Sequence, residues 1–155
     1  MNNYPLTPVT KSAIVLDSNI FIHYKPILDP LWHWRTVAAA KSIDLIVIAR
    51  AHVELNLIKD GGTSRALHIR QRAGDALAKI GNWAAQPNQR TKRDKNGVRV
   101  IVELDDPPDS CFVDGLTKAT NDSYYVAAAR QLVEQGQYDS VMICSADHTV
   151  GLIGR

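Results

Sequence analysis

The sequence predicts an α/β domain in which a parallel β-sheet is sandwiched by helices, a Rossmann-like three-layer arrangement. Three short apolar, β-branched runs carry this reading: AIVLD (13–17), IDLIVIA (43–49) and SVMIC (140–144). Runs of this length and continuity are typical of strands buried on both faces, as parallel sheets require. Segments with helical spacing separate them, and alternation of strand and helix is the pattern of crossover-connected sheets. The chain has 155 residues, 45% hydrophobic and 22% charged. That suffices for one soluble domain with a proper core.

Taken in order, AIVLD ends in an acid and passes into SNIFIHY, a helical start with Ser18 or Asn19 as cap. Pro26 and Pro30 break the chain, and LWHWRTVAAAKS then reads as a helix with Trp32, Val37 and Ala40 packed inward. After IDLIVIA, the segment AHVELNLIKD gives helical spacing through Val53, Leu57 and Ile58, and Gly61-Gly62 ends it. Thr63 or Ser64 can cap a helix from about 65 to 80 with an apolar stripe of Ala66, Ile69, Ala73, Leu77 and Ile80. Residues 82–97 are polar, basic and without periodicity, so they read as a loop. VRVIVEL (98–104) reads as a strand, the return limb of an insertion, and DDPPDS as a turn-rich acidic loop. Thr120 or Asn121 opens a helix to about Gln135, burying Tyr125, Ala128, Ala129 and Leu132.

No apolar stretch approaches the roughly 20 residues that cross a bilayer, and the N-terminus lacks the basic start and apolar core of a secretory signal. Cys111 and Cys144 are too few for a disulfide framework, which points to free thiols in a reducing cytoplasm. The net charge is +2, unevenly spread. Residues 59–99 carry ten Lys or Arg against three Asp, a surplus of seven, which leaves −5 on the rest. A basic arm beside an acidic body fits a polyanionic partner, and equally a solvated helix and loop kept basic for solubility.

The chemistry sits in the acids. Asp17 closes the first strand and Glu54 follows the second. Asp122 opens a helix, and Asp147 follows the strand SVMIC. In open parallel sheets, ligands collect outside the carboxyl ends of the strands, so these four can converge there. At about 6 Å and an effective dielectric of about 20, each like-charge pair costs roughly 3 kcal/mol. A cation between them offsets that cost, so the pattern reads as a hard-metal site built from oxygen ligands. Each acid also has a plainer reading. Asp17 can cap the following helix, Glu54 is favoured in a first turn by the helix dipole, and Asp114 competes with Asp122 for the third position.

The pieces IVLDSNIF, VIARAHVELNLI, TNDSYYVAAARQL and VMICSADHTV, in this order over residues 14 to about 150, resemble the PIN domain family of metal-dependent nucleases. The resemblance implies one PIN-like domain over 1–155, with a basic helical and loop insertion at about 62–110 that is typical of the longer subfamilies. Asp17, Glu54, Asp122 and Asp147 are then the ligands of one or two Mg²⁺ or Mn²⁺ ions. Ser145 matches the small hydroxyl residue two before the last acid, which bonds a ligand or a metal-bound water. Asn19 and Asn121 match supporting positions beside the first and third acids. The chain stops eight residues after Asp147, where the family's fold continues with a helix and an edge strand, so the resemblance implies a fragment or a shortened C-terminal edge.

The implied activity is that of an endoribonuclease hydrolysing phosphodiester bonds of single-stranded RNA with water as nucleophile, leaving 5′-phosphate and 3′-hydroxyl ends. Arg65, Arg72, Arg90, Lys92, Arg93, Lys95 and Arg99 are the candidates for phosphate contacts, which supply affinity rather than sequence choice. Trp83 and His68 are candidates for base stacking, with a packing role the plainer reading of Trp83. DNA is a rival substrate. A non-catalytic module that binds RNA or protein in a larger assembly is the rival function. An inhibitor protein or further domain is a further implied partner. A phosphatase or nucleotide-binding sheet is disfavoured, because no glycine-rich phosphate loop follows the first strand.

Overall fold

A computed structural model describes residues 10–61 and 66–145. Strand β1 (Lys11–Leu16) leads to a short helix α1 (Ser18–His23), and a single turn α2 (Trp34–Val37) precedes β2 (Ser42–Val47). Helices α3 (Ala49–Lys59) and α4 (Leu67–Ala84) follow, then β3 (Val98–Val102), α5 (Asn121–Gln135) and β4 (Ser140–Cys144). The four strands form one sheet in the order β3-β2-β1-β4, and every pair is parallel. This is the predicted α/β class. From Ser12 to Leu16 and from Ile43 to Val47 each residue is buried, so the two central strands are covered on both faces. Fully burying each Ile or Leu among them contributes about 1.5–3 kcal/mol.

The strand order sets where a site can form. The chain steps outward from β1 to β2 to β3, then returns to place β4 on the other side of β1. The reversal falls between β1 and β4, and a crevice opens outside the carboxyl ends of strands at such a point. Helix α4 packs on α3 and α1 and reaches β3, while α5 packs on β4 and β1. Small residues let α5 sit close, since Ala127, Ala128 and Ala129 are all buried.

Several expectations change. VRVIVEL supplies a main-sheet strand: β3 pairs with β2 from Val98 opposite Ile43 to Val102 opposite Val47. Within the expected insertion, α4 packs on α3 and α1, and β3 joins the sheet. Helix α4 runs on to Ala84, and a 3-10 turn at Pro87–Gln89 follows within the expected loop. Residues Arg90 to Asp94 then run back along β3, through a bridge from Arg90 to Ile101 and a hydrogen bond from Thr91 N to Val100 O. The expected helix after Pro30 is broken at His33, whose φ of 50° is left-handed. Trp34, rather than Trp32 or Val37, is the buried anchor there: its Nε1 donates to Ile27 O at 2.7 Å, and Trp32 stacks on it at 4.6 Å. On α3 the inward residues are Ala51, Leu55 and Ile58, with Val53 and Leu57 facing outward.

Candidate functional site

Asp17 stands one residue beyond β1, and its backbone N–H donates to Cys144 O at 3.0 Å, which extends the β1–β4 pairing into the crevice. It is buried, and it occupies the cap position of α1, with Oδ1 3.4 Å from the Asn19 N–H. The capping and ligand readings therefore coexist, since Oδ2 is turned the other way and accepts from Ser145 Oγ at 2.6 Å. Ser145 follows β4 directly, so this bond spans the point where the strand order reverses.

Glu54 lies on the second turn of α3 and points into the same crevice. The Ser18 hydroxyl lies 3.0 Å from Glu54 Oε2 and 3.2 Å from Asp17 Oδ1, so two carboxylates converge on one hydroxyl. That hydroxyl has one proton to give. The other Glu54 oxygen accepts from the Tyr125 hydroxyl at 2.7 Å, and the same phenol oxygen accepts from the Ser18 N–H at 3.2 Å. Burial raises the Glu54 pKa above the usual carboxylate range; Tyr125 and Ser18 oppose the rise, and the charges of Asp17 and Asp122 add to it. Burial and the neighbouring Glu54 also push the Tyr125 phenol upward, which keeps it a donor. Cys144 is likewise held as a thiol, by burial and then by the Asp17 charge.

Asp122 is exposed in the first turn of α5, close enough for its charge to act on Glu54. Its rival Asp114 instead pairs with Arg130 at 2.5 Å. Asn19 meets Asp17 through its backbone, and Asn121 is exposed at the start of α5. Asp147 and Arg65 lie outside the described residues. Within them, no three of His, Cys, Asp and Glu gather closely enough to hold a metal ion on their own. Asp17 and Glu54 nevertheless present an all-oxygen donor set with hydroxyls alongside, the chemistry that suits Mg²⁺ or Mn²⁺. A cation there would offset the burial that chiefly raises Glu54, and the repulsion from Asp17 and Asp122 that adds to it.

Three of the basic candidates are committed elsewhere. Asp44 is fully buried in β2, opposite Ala13 near the amino-terminal end of the sheet and away from Asp17. A buried carboxylate needs compensating charge. Arg99 supplies it as a fork, Nε to Oδ1 at 3.0 Å and a terminal nitrogen to Oδ2 at 2.8 Å, and Arg93 adds a contact at 2.9 Å. Tyr138 donates to Asp44 Oδ2 at 2.7 Å. Burial alone would raise the Asp44 pKa, but the bonds from Arg99 and Tyr138 and the charges of both arginines hold it below its ordinary value. Arg72 donates to Ile22 O and Tyr24 O, bracing the end of α1 from α4. Arg90, Lys92 and Lys95 are exposed.

Sequence reasoning treated Ser18 as a cap and Tyr125 as core. A buried tyrosine needs a partner for its hydroxyl, and that was the available signal for Tyr125. Asp44 carried its own signal, an acid within a buried strand. The chain matches no family model, no curated protein and no solved structure.

Proposed function

We propose that the chain is a Mg²⁺- or Mn²⁺-dependent endoribonuclease that hydrolyses phosphodiester bonds of single-stranded RNA. The observation that supports this most is the convergence of Asp17 and Glu54 on the Ser18 hydroxyl, at the carboxyl end of the sheet beside its reversal point. Asp17 and Glu54 would hold the ion, with Asp122 and Asp147 as the remaining acids. Bound there, the ion supplies a lowered pKa for the attacking water and counter-charge for the phosphate. Ser145 fixes one Asp17 oxygen by donating to it, and Ser18 and Tyr125 fix Glu54 in the same way. Tyr125 also favours ionised Glu54, the form that binds a cation.

The test is cleavage of a labelled single-stranded RNA with Mg²⁺ or Mn²⁺, beside an EDTA control and a matched DNA strand. Asp17→Asn keeps the side chain's size and removes its charge. The reading predicts cutting of RNA that EDTA abolishes and that Asp17→Asn loses by a factor of at least about 100, with the fold retained. Full activity of the variant would overturn the role of Asp17. Absence of cutting by the unsubstituted chain would favour a non-catalytic module.

A further inference from the structure

Arg50 stands on the first turn of α3, outside the basic stretch of residues 59–99. Its guanidinium carbon lies 3.8 Å from the centre of the Tyr124 ring on α5. Phe112 meets that ring edge-on, with the ring centres 5.1 Å apart. A guanidinium this close to an aromatic face is steadied by cation–π attraction, and its N–H groups can still donate to a further acceptor. Among the described residues these donors have no partner: the Nε is buried without a hydrogen-bond acceptor, and no ion pair involves Arg50. A guanidinium left without an acceptor among the described residues is available to a ligand that brings one.

Its position says which acceptor. Glu54 is four residues further along α3, on the same helix face, and would be the natural partner. Both Glu54 oxygens are already engaged, however, by Tyr125 and Ser18. Tyr124, which carries Arg50, is the chain neighbour of Tyr125, which holds Glu54. Arg50 is thus a cation without an ion-pair partner among the described residues, one helical turn from Glu54, in contrast to Arg72, Arg93 and Arg99, whose donors are spent on the protein.

We infer that Arg50, stacked on Tyr124, is the residue that grips a backbone phosphate of the single-stranded RNA beside the acidic crevice. The inference rests on the nuclease reading for its substrate class. A phosphodiester offers the paired oxygens that a guanidinium fork matches. A contact to phosphate alone predicts the same dependence on Arg50 for a matched DNA strand.

The experiment measures binding of a short fluorescein-labelled single-stranded RNA by anisotropy, with Mg²⁺ present and in the Asp17→Asn background. Adding Arg50→Gln is expected to weaken binding roughly tenfold. It should also flatten the slope of log affinity against log salt by about 0.7, the value for one phosphate on a single strand. Arg50→Lys keeps the charge without the planar fork and should recover part of the loss, while Tyr124→Leu, which removes the stack, should reproduce part of it. In the otherwise unsubstituted chain, Arg50→Gln should raise KM more than it lowers kcat. Unchanged affinity and slope in a folded Arg50→Gln chain would overturn the inference, as would absence of RNA binding by the parent. Arg50-dependent binding in a chain that cuts nothing would uphold the contact while the nuclease reading falls.

Discussion

The Tyr125 hydroxyl meets both Glu54 and the Ser18 backbone from a ring that is otherwise core. Tyr125→Phe removes the donor and leaves a half-buried carboxylate oxygen and a buried N–H short of a partner, at a cost of about 1–3 kcal/mol in stability. A bond to the ionised form lowers a carboxyl pKa, so losing it moves the already raised Glu54 pKa further up. Since Glu54 must be ionised to hold a cation, the acid limb of the pH–rate profile should move to higher pH in Tyr125→Phe; an unmoved limb would remove Tyr125 from the site. Asp44 has the opposite sign. Its folded pKa lies below its ordinary 3.8, so its contribution is complete above that value and is lost as pH falls through the folded pKa. Asp44→Asn should cost about 3–5 kcal/mol near neutral pH, because two arginines lose their counter-charge. The gap between variant and parent in denaturant melts should narrow below about pH 4. A constant gap would mean that charge is not what Asp44 contributes. These pairings were hidden in the sequence because the partners Arg93 and Arg99 lie 49 and 55 residues away. Asp17 stood out because it closes an unbroken apolar run, whereas Ser145 was marked only by the family resemblance of VMICSADHTV.

At the scale of elements, the strands and α5 were readable where one pattern left one solution. AIVLD, IDLIVIA and SVMIC tolerate burial on both sides, and TNDSYYVAAARQL allows one apolar face. In α3 the spacing of Val53, Leu57 and Ile58 picks out one of the inward residues, Ile58, which is buried with Ala51 and Leu55. Helix α3 packs chiefly against α4, and also against α1 and α5. The strand β3 was recognisable, but its partner was set by a turn that pattern reading does not see. Gly97 has φ +78°, and a Cβ built on it would stand 2.5 Å from Lys41 O. Its own carbonyl accepts from Ile43 N at 2.8 Å and from Arg93 at 2.7 Å, so the turn fixes the start of the β2–β3 register. Gly97→Ala should therefore destabilise the chain by at least about 2 kcal/mol, combining backbone strain with overpacking. Thermal or denaturant melts measure this, and a loss below about 0.5 kcal/mol would show that the turn yields without cost.

For the whole molecule, the strand order β3-β2-β1-β4 decides the division of labour between the two ends of the sheet. The amino-terminal end is a sealed structural cluster around Asp44, while the carboxyl end opens at the reversal point and collects Asp17, Glu54 and Ser145. No helix among the described residues is long and apolar enough to cross a membrane. Of the basic residues noted in the sequence, Arg72, Arg93 and Arg99 hold the fold together, while Arg90, Lys92 and Lys95 are exposed. The most direct test of the central claim is anomalous scattering from crystals of the chain grown in Mn²⁺. The account predicts a manganese peak within coordination distance of both Asp17 and Glu54 carboxylates. No peak there at saturating Mn²⁺, or a peak bound only elsewhere, would contradict it.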